Sequence, residues 1–168
     1  HGTPLRDAFP YDHIIASTES TLRNLGLESI DIQQFHVWSD EWSDQTEWQD
    51  AIAKLKEDGK IRHFGVSIND HEPSSALKLG ASGKVDTVQV IHNIFDQSPE
   101  SALYPLCREK GIGVIVRVPL DEGGLTGNVK GDTLFAPGDF RNNYFQGDRK
   151  HLVEERVAKL TPLLGSEA

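Results

Sequence analysis

The feature that most constrains this chain is the repeated alternation of short apolar runs with segments of helical period, most of which close on a glycine. Ile14, Ile15, Thr18, Leu22 and Leu25 recur at helical spacing up to Gly26, with Asp12 placed to cap the start. Residues 30–38 then carry apolar and β-branched side chains without that spacing, as a buried strand does. The unit repeats. A helix from Thr46 with Trp48, Ile52 and Leu55 on one face stops at Gly59, and a strand is predicted over 61–67. Pro73 opens a helix through Leu77 and Leu79 ahead of a strand over 85–91. Pro99 opens another, through Leu103, Leu106 and Cys107, ahead of Gly111 and a strand over 112–118. Alternation of this kind with short connections predicts parallel strands joined by right-handed crossovers.

Four parallel strands fit either part of a TIM-type (β/α) barrel or a small open doubly wound sheet, and periodicity does not separate the two. A complete eight-stranded barrel needs about 250 residues, whereas this chain has 168. The expectation is therefore an α/β fold with about four barrel strands, in a single domain over residues 1–168. Residues 1–11 are rich in turn formers and charge and read as a poorly ordered lead-in. Residues 121–148 are rich in Gly, Asn and Asp without periodicity and read as a functional lid or a flexible excursion. A last helix is predicted over 150–160, stopped near Pro162.

Charge excludes some partners. Seventeen Lys and Arg against 26 Asp and Glu leave a net charge of -9, which disfavours nucleic acid or an anionic membrane as the main partner. Cys107 is the single cysteine, so no intrachain disulfide forms, and a reducing compartment is compatible. No run reaches the length of a membrane span and the first twenty residues lack a signal-peptide pattern, so a cytoplasmic location is expected. No spacing of Cys and His suits a structural zinc site, and no nucleophile-elbow or P-loop motif occurs. His63, His71 and His92 read as surface or strand-end residues, and Asp40, Glu41 and Asp44 as a solvated acidic loop. Trp38 and Trp42 either border a substrate mouth or pack on the fold's rim.

Four strings carry a resemblance. Residues 20–36 read S-T-L-R-N-L-G-L-E-S-I-D-I-Q-Q-F-H, and residues 51–67 read A-I-A-K-L-K-E-D-G-K-I-R-H-F-G-V-S. V-Q-V-I-H-N surrounds Gln89, and V-P-L-D-E-G-G-L-T-G occupies 118–127. In that order, over about residues 14–160, they resemble the aldo-keto reductase family. The resemblance implies a nicotinamide dinucleotide, NADP or NAD, lying across the C-terminal mouth of the barrel and passing hydride to a small carbonyl substrate. It implies that His36 orients and polarises the substrate oxygen. Ser67, Asn69 and Gln89 match positions that hydrogen-bond the nicotinamide carboxamide, with Asn69 displaced by one because Ile68 stands where the family commonly has Asn. Read without the family, these four are a strand-end histidine, a capping serine, a turn asparagine and a half-buried glutamine.

Arg117 stands where many members carry an aromatic ring that stacks on the nicotinamide. A guanidinium plane can stack too; the alternative is a rim arginine paired with Asp121 or Glu122. Gly123, Gly124, Leu125 and Gly127 resemble the loop that wraps the cofactor pyrophosphate. The family's catalytic Asp and Tyr lie in a D-T-A-x-x-Y-G segment that does not occur in these residues, and neither does the strand that ends in its Lys. Tyr11, Tyr104 and Tyr144 are the only tyrosines. The expectation is a reductase-derived chain that is nearly inactive alone, with a non-catalytic binding or assembly module as the alternative. Unpaired strand edges predict a homo-oligomer or a complementing chain.

Overall fold

The computed structural model describes residues 4–163. The chain divides into two compact units: one runs through His92 and includes Asp96–Arg117, and the other joins Asn93–Phe95 to the chain from Val118 on.

The first unit contains the helices α1 (Leu5–Ala8), α2 (Tyr11–Leu25), α3 (Glu47–Glu57), α4 (Leu77–Ser82) and α5 (Leu103–Lys110). Its strands are β1 (Ile30–Phe35), β2 (Ile61–Ser67), β3 (Thr87–Ile91) and β4 (Gly113–Arg117). They form one parallel sheet in the order β1-β2-β3-β4, so the expected alternation of strand and helix produces an open sheet of parallel neighbours.

The period of each segment explains which side it buries. Along α2, Ile14, Thr18 and Leu22 form a buried stripe, and Gly26 ends the helix in the left-handed conformation at φ 66°. Asp12 is not the cap expected of it. The helix starts two residues earlier, after Pro10, and the carboxylate of Glu47 accepts the Tyr11 amide at 3.1 Å. On α3, Trp48, Ala51, Ile52 and Leu55 face inward. They meet the helix-facing side of the sheet, where Phe35, Phe64, Val66, Val88 and Val90 are buried. Burying each such side chain contributes roughly 1.5–3 kcal/mol.

The first residues differ from the sequence reading. The lead-in read over 1–11 falls partly on residues 1–3, which lie outside the described residues. From Pro4 on, α1 places Leu5 and Phe9 in the core, and the Phe9 ring stacks on Phe35 at 4.2 Å. Two large apolar side chains, Leu5 and Phe9, turned onto the core outweigh the turn-forming composition around them. Trp38 and Trp42 are also core residues, in edge-to-face contact with each other, and Trp48 donates its indole N–H to the Trp42 carbonyl at 2.9 Å.

The second unit contains a 3-10 segment over Asp121–Thr126, a short helix α6 (Arg141–Tyr144) and the helix α7 (Arg149–Leu160). Its small core is Val129, Phe145 and Val153, with Phe95, Phe135, Tyr144 and Val157 packed around it. The stretch read as an excursion over 121–148 is thus locally folded. Its apolar residues are too widely spaced to show a period, yet they converge on α7.

Candidate active site

Strand register brings the candidate residues to one level of the sheet. Gln34 of β1 pairs with Gly65 of β2, and Gly65 with Thr87 of β3. One step toward the C-terminal end, Ser67 pairs with Gln89, and Gln89 with Ile115. The β1–β2 ladder ends at Phe35 and Val66, so His36 follows directly beside Ser67. Side chains two apart share a face, which turns Gln34, Ser67, Gln89 and Arg117 to the side away from the helices.

These residues line a cleft of about 480 Å³ at the C-terminal end of the strands. The Gln89 Nε2 donates to Ser67 Oγ at 3.4 Å, a long contact that leaves both groups able to exchange partners. The Ser67 side chain belongs to a residue only 7% exposed, whereas His36 is exposed and presents its ring edge-on to Phe9 at 5.8 Å. Asn69 also lines the cleft, but its Nδ2 donates to the Trp38 carbonyl at 3.0 Å, so that donor ties the loop after β2 to the loop after β1.

Arg117 has a different partner from those expected. Its Nη2 donates to the Ile68 carbonyl at 3.2 Å and pairs with the Asp70 carboxylate, on the loop after β2. Its Nε is buried and has no hydrogen-bond partner among the described residues. Asp121, the other candidate partner, is taken up within the second unit by Tyr144 and Arg149. Sequence reading overlooked Gln34 and Asp70, both of which line the cleft. Gln34 was legible, since it lies two residues before His36 on one strand; Asp70 carries no local signal.

Gly123, Gly124, Leu125 and Gly127 lie in the second unit. Gly123 and Gly127 adopt φ of 96° and 76°, and the residues before Gly123, Asp121 and Glu122, are themselves left-handed at 50° and 53°. The amides of Gly123 and Leu125 turn back to the Leu120 carbonyl at 3.0 and 3.1 Å. No group of three or more His, Cys, Asp or Glu among the described residues could hold a metal ion. No helix among them is long and apolar enough to cross a membrane.

A parallel sheet with a polar cleft at its C-terminal end is the arrangement of a barrel enzyme's active-site rim. The sequence profile of the Aldo/keto reductase family matches residues 4–160, and this chain belongs to that family. It is 33% identical over 149 residues to the NADH-specific methylglyoxal reductase of Escherichia coli, covering 86% of this chain and 44% of that protein. It is 32% identical over 133 residues to the aldo-keto reductase yakc of Schizosaccharomyces pombe, whose name carries NADP(+), covering 77% and 38%. Among solved structures, a glycerol dehydrogenase from Gluconobacter oxydans matches with a TM-score of 0.77 and 29% identity, over 92% of this chain and 47% of that one. The chain therefore spans less than half the length of these relatives.

Proposed function

We propose that this chain carries the carbonyl-orienting and nicotinamide-binding part of an NAD(P)H-dependent carbonyl reductase. The observation that carries the reading is the pairing of Ser67 with Gln89 at the strand ends, in a cleft shared with His36 and Arg117. A bound reduced nicotinamide would supply the hydride.

The donor set suits that group. A carboxamide offers one acceptor oxygen and an NH₂; the Ser67 hydroxyl both donates and accepts, and Gln89 adds an amide with both capacities. The cleft volume of about 480 Å³ falls within the range usual for small-ligand sites. The planar Arg117 guanidinium, held by Asp70 and Ile68, could lie against an aromatic face, which supports its standing in for the family's stacking ring. His36, exposed at the rim, can donate to a carbonyl oxygen and stabilise charge developing there.

Proton donation is the step for which these residues make no provision, since none of the three tyrosines lies in the family's motif. General acid catalysis is typically worth about 100-fold to 10,000-fold, so the 168-residue chain by itself binds cofactor while turning over carbonyls at close to background. The open edges of the sheet support association with a second copy or with a chain supplying further strands. Fluorescence titration with NADH and NADPH tests the binding reading. Saturable binding weakened by Ser67→Ala and Gln89→Leu is expected; no binding of either cofactor rejects it.

A further inference from the structure

The second unit contains a buried charged group that the proposed chemistry does not use. Asp121 is 1% exposed, and its Oδ1 accepts from the Tyr144 hydroxyl at 2.7 Å and from Arg149 Nη2 at 2.8 Å. Arg149 Nη2 also reaches the Tyr144 oxygen at 3.1 Å, and its guanidinium lies over the Tyr144 ring at 4.5 Å. The three groups therefore close into a triangle. Burial, and then the bond to Asp121, push the Tyr144 phenol well above its ordinary range and keep it a donor.

Asp121 is also the first residue of the left-handed turn that opens the glycine loop. Side chains bearing Cβ seldom adopt that conformation, and here two occur in succession before Gly123. Backbone bonds from Asp121 to Val118 and from Gly123 to Leu120 close the turn locally, and the buried Asp121 side chain adds a contact from outside it, while Glu122 stays half-buried. Gly124 completes the fit: a Cβ there would lie 2.7 Å from Asp121 Oδ2 and 3.0 Å from Val153 Cγ1, so only glycine lets the loop close over the carboxylate. That Oδ2 is buried with no hydrogen-bond partner among the described residues. The network thus favours one loop geometry and leaves little room for others.

We propose that Asp121, Tyr144 and Arg149 are positioning residues for the loop over residues 123–127. Tyr144 and Arg149 grip the carboxylate that anchors the left-handed turn, and Arg149 cancels its charge, so the loop is pre-organised to receive the phosphate groups of a dinucleotide. This rests on the cofactor reading above. An unpaired carboxylate under the loop would repel those phosphates, which gives the ion pair a role beyond holding shape.

The test uses the whole chain, with ADP-ribose as a probe that carries the phosphates and lacks the nicotinamide. Calorimetric affinity and amide exchange over 120–127 are measured for wild type, Tyr144→Phe, Arg149→Met, and Arg149→Met combined with Asp121→Asn. Tyr144→Phe, which removes only a hydroxyl, is expected to accelerate loop exchange and weaken ADP-ribose about tenfold, with α2 protection unchanged. Arg149→Met is expected to cost more, and adding Asp121→Asn to recover affinity for ADP-ribose while loop exchange stays faster than in wild type, a split that a merely structural role would not produce. Wild-type exchange and wild-type affinity in Tyr144→Phe and Arg149→Met overturn the proposal. If wild-type chain fails to bind ADP-ribose, the cofactor reading falls instead, and the loop exchange rates alone decide whether the triangle positions the turn.

Discussion

Arg117, at the end of β4, is fastened to Asp70 on the loop after β2, so the two strand ends bordering the cleft are joined by a side-chain ion pair across the β3 position between them. Asp70 is 70% exposed, and exposed pairs of this kind contribute about 0–1 kcal/mol. Asp70→Asn should therefore change the urea midpoint little. It should alter nicotinamide-cofactor affinity more, because the guanidinium is then left with its bond to the Ile68 carbonyl and a less fixed plane. Equal cofactor affinity in wild type and Asp70→Asn, measured by fluorescence titration, would remove Arg117 from the binding surface.

Gly65 permits Gln34 to reach across β2 to the Thr87 hydroxyl at 3.4 Å. A Cβ at this position would stand 2.1 Å from Thr87 Oγ1 and 2.9 Å from the Thr87 carbonyl oxygen. Gly65→Ala should destabilise the fold by about 1–3 kcal/mol through overpacking. Combining it with Thr87→Ala should recover part of the loss but not all, since the backbone contact remains. Chemical denaturation of the two single variants and the double variant provides the cycle.

Asp86 links three elements, accepting the Phe64 amide at 2.8 Å and Lys56 Nζ at 2.8 Å, with His63 Nδ1 at 3.8 Å. Partial burial on its own would raise its carboxyl, but the bonds from Lys56 and Phe64 outweigh this and the net direction is downward. A folded value below the unfolded one means stability that is present above the ordinary aspartate range near pH 3.9 and lost as pH falls through the lower folded value. Thermal melts of wild type and Asp86→Asn should therefore differ most near neutrality and converge on acidification below about pH 4. A gap that stays constant over that range would contradict the assignment.

β1 and β4 are edge strands of the described sheet, and Ile32, Val114 and Val116 are 39%, 38% and 41% exposed. Exposed parallel edges with apolar side chains invite pairing. Light scattering at micromolar concentration should report a species larger than one chain, shifted toward monomer by Val116→Lys. A compact monomer for the wild type would rule out self-association through these edges.

Mixing the chain with NADPH and a panel of aldehydes should give turnover no greater than that of His36→Ala. Clear excess over that control would mean that another group in these residues supplies the proton.

Much of the fold was legible because helical period, glycine stops and β-branched runs are local properties. β2 occupies the predicted 61–67, and Gly26, Gly59 and Gly111 take the left-handed conformation expected where a helix ends. The misses have a common cause. Asp12 lost the cap position to an arrangement completed by Glu47, 36 residues from Tyr11 in sequence. The partners of Asp121 lie 23 and 28 residues beyond it. Leu5 and Phe9 were hidden by the polar, turn-forming residues around them.

The order of strands and helices, the family, and the residue types at the strand ends can all be read along the chain, because each is carried by sequence neighbours. That Asp70 holds Arg117, that Gln34 shares the cleft, and that Tyr144 and Arg149 grip Asp121 emerges from the folded chain alone. Those contacts depend on strand register and on helices returning to distant loops, which burial of the surrounding core fixes only after the chain has folded back on itself.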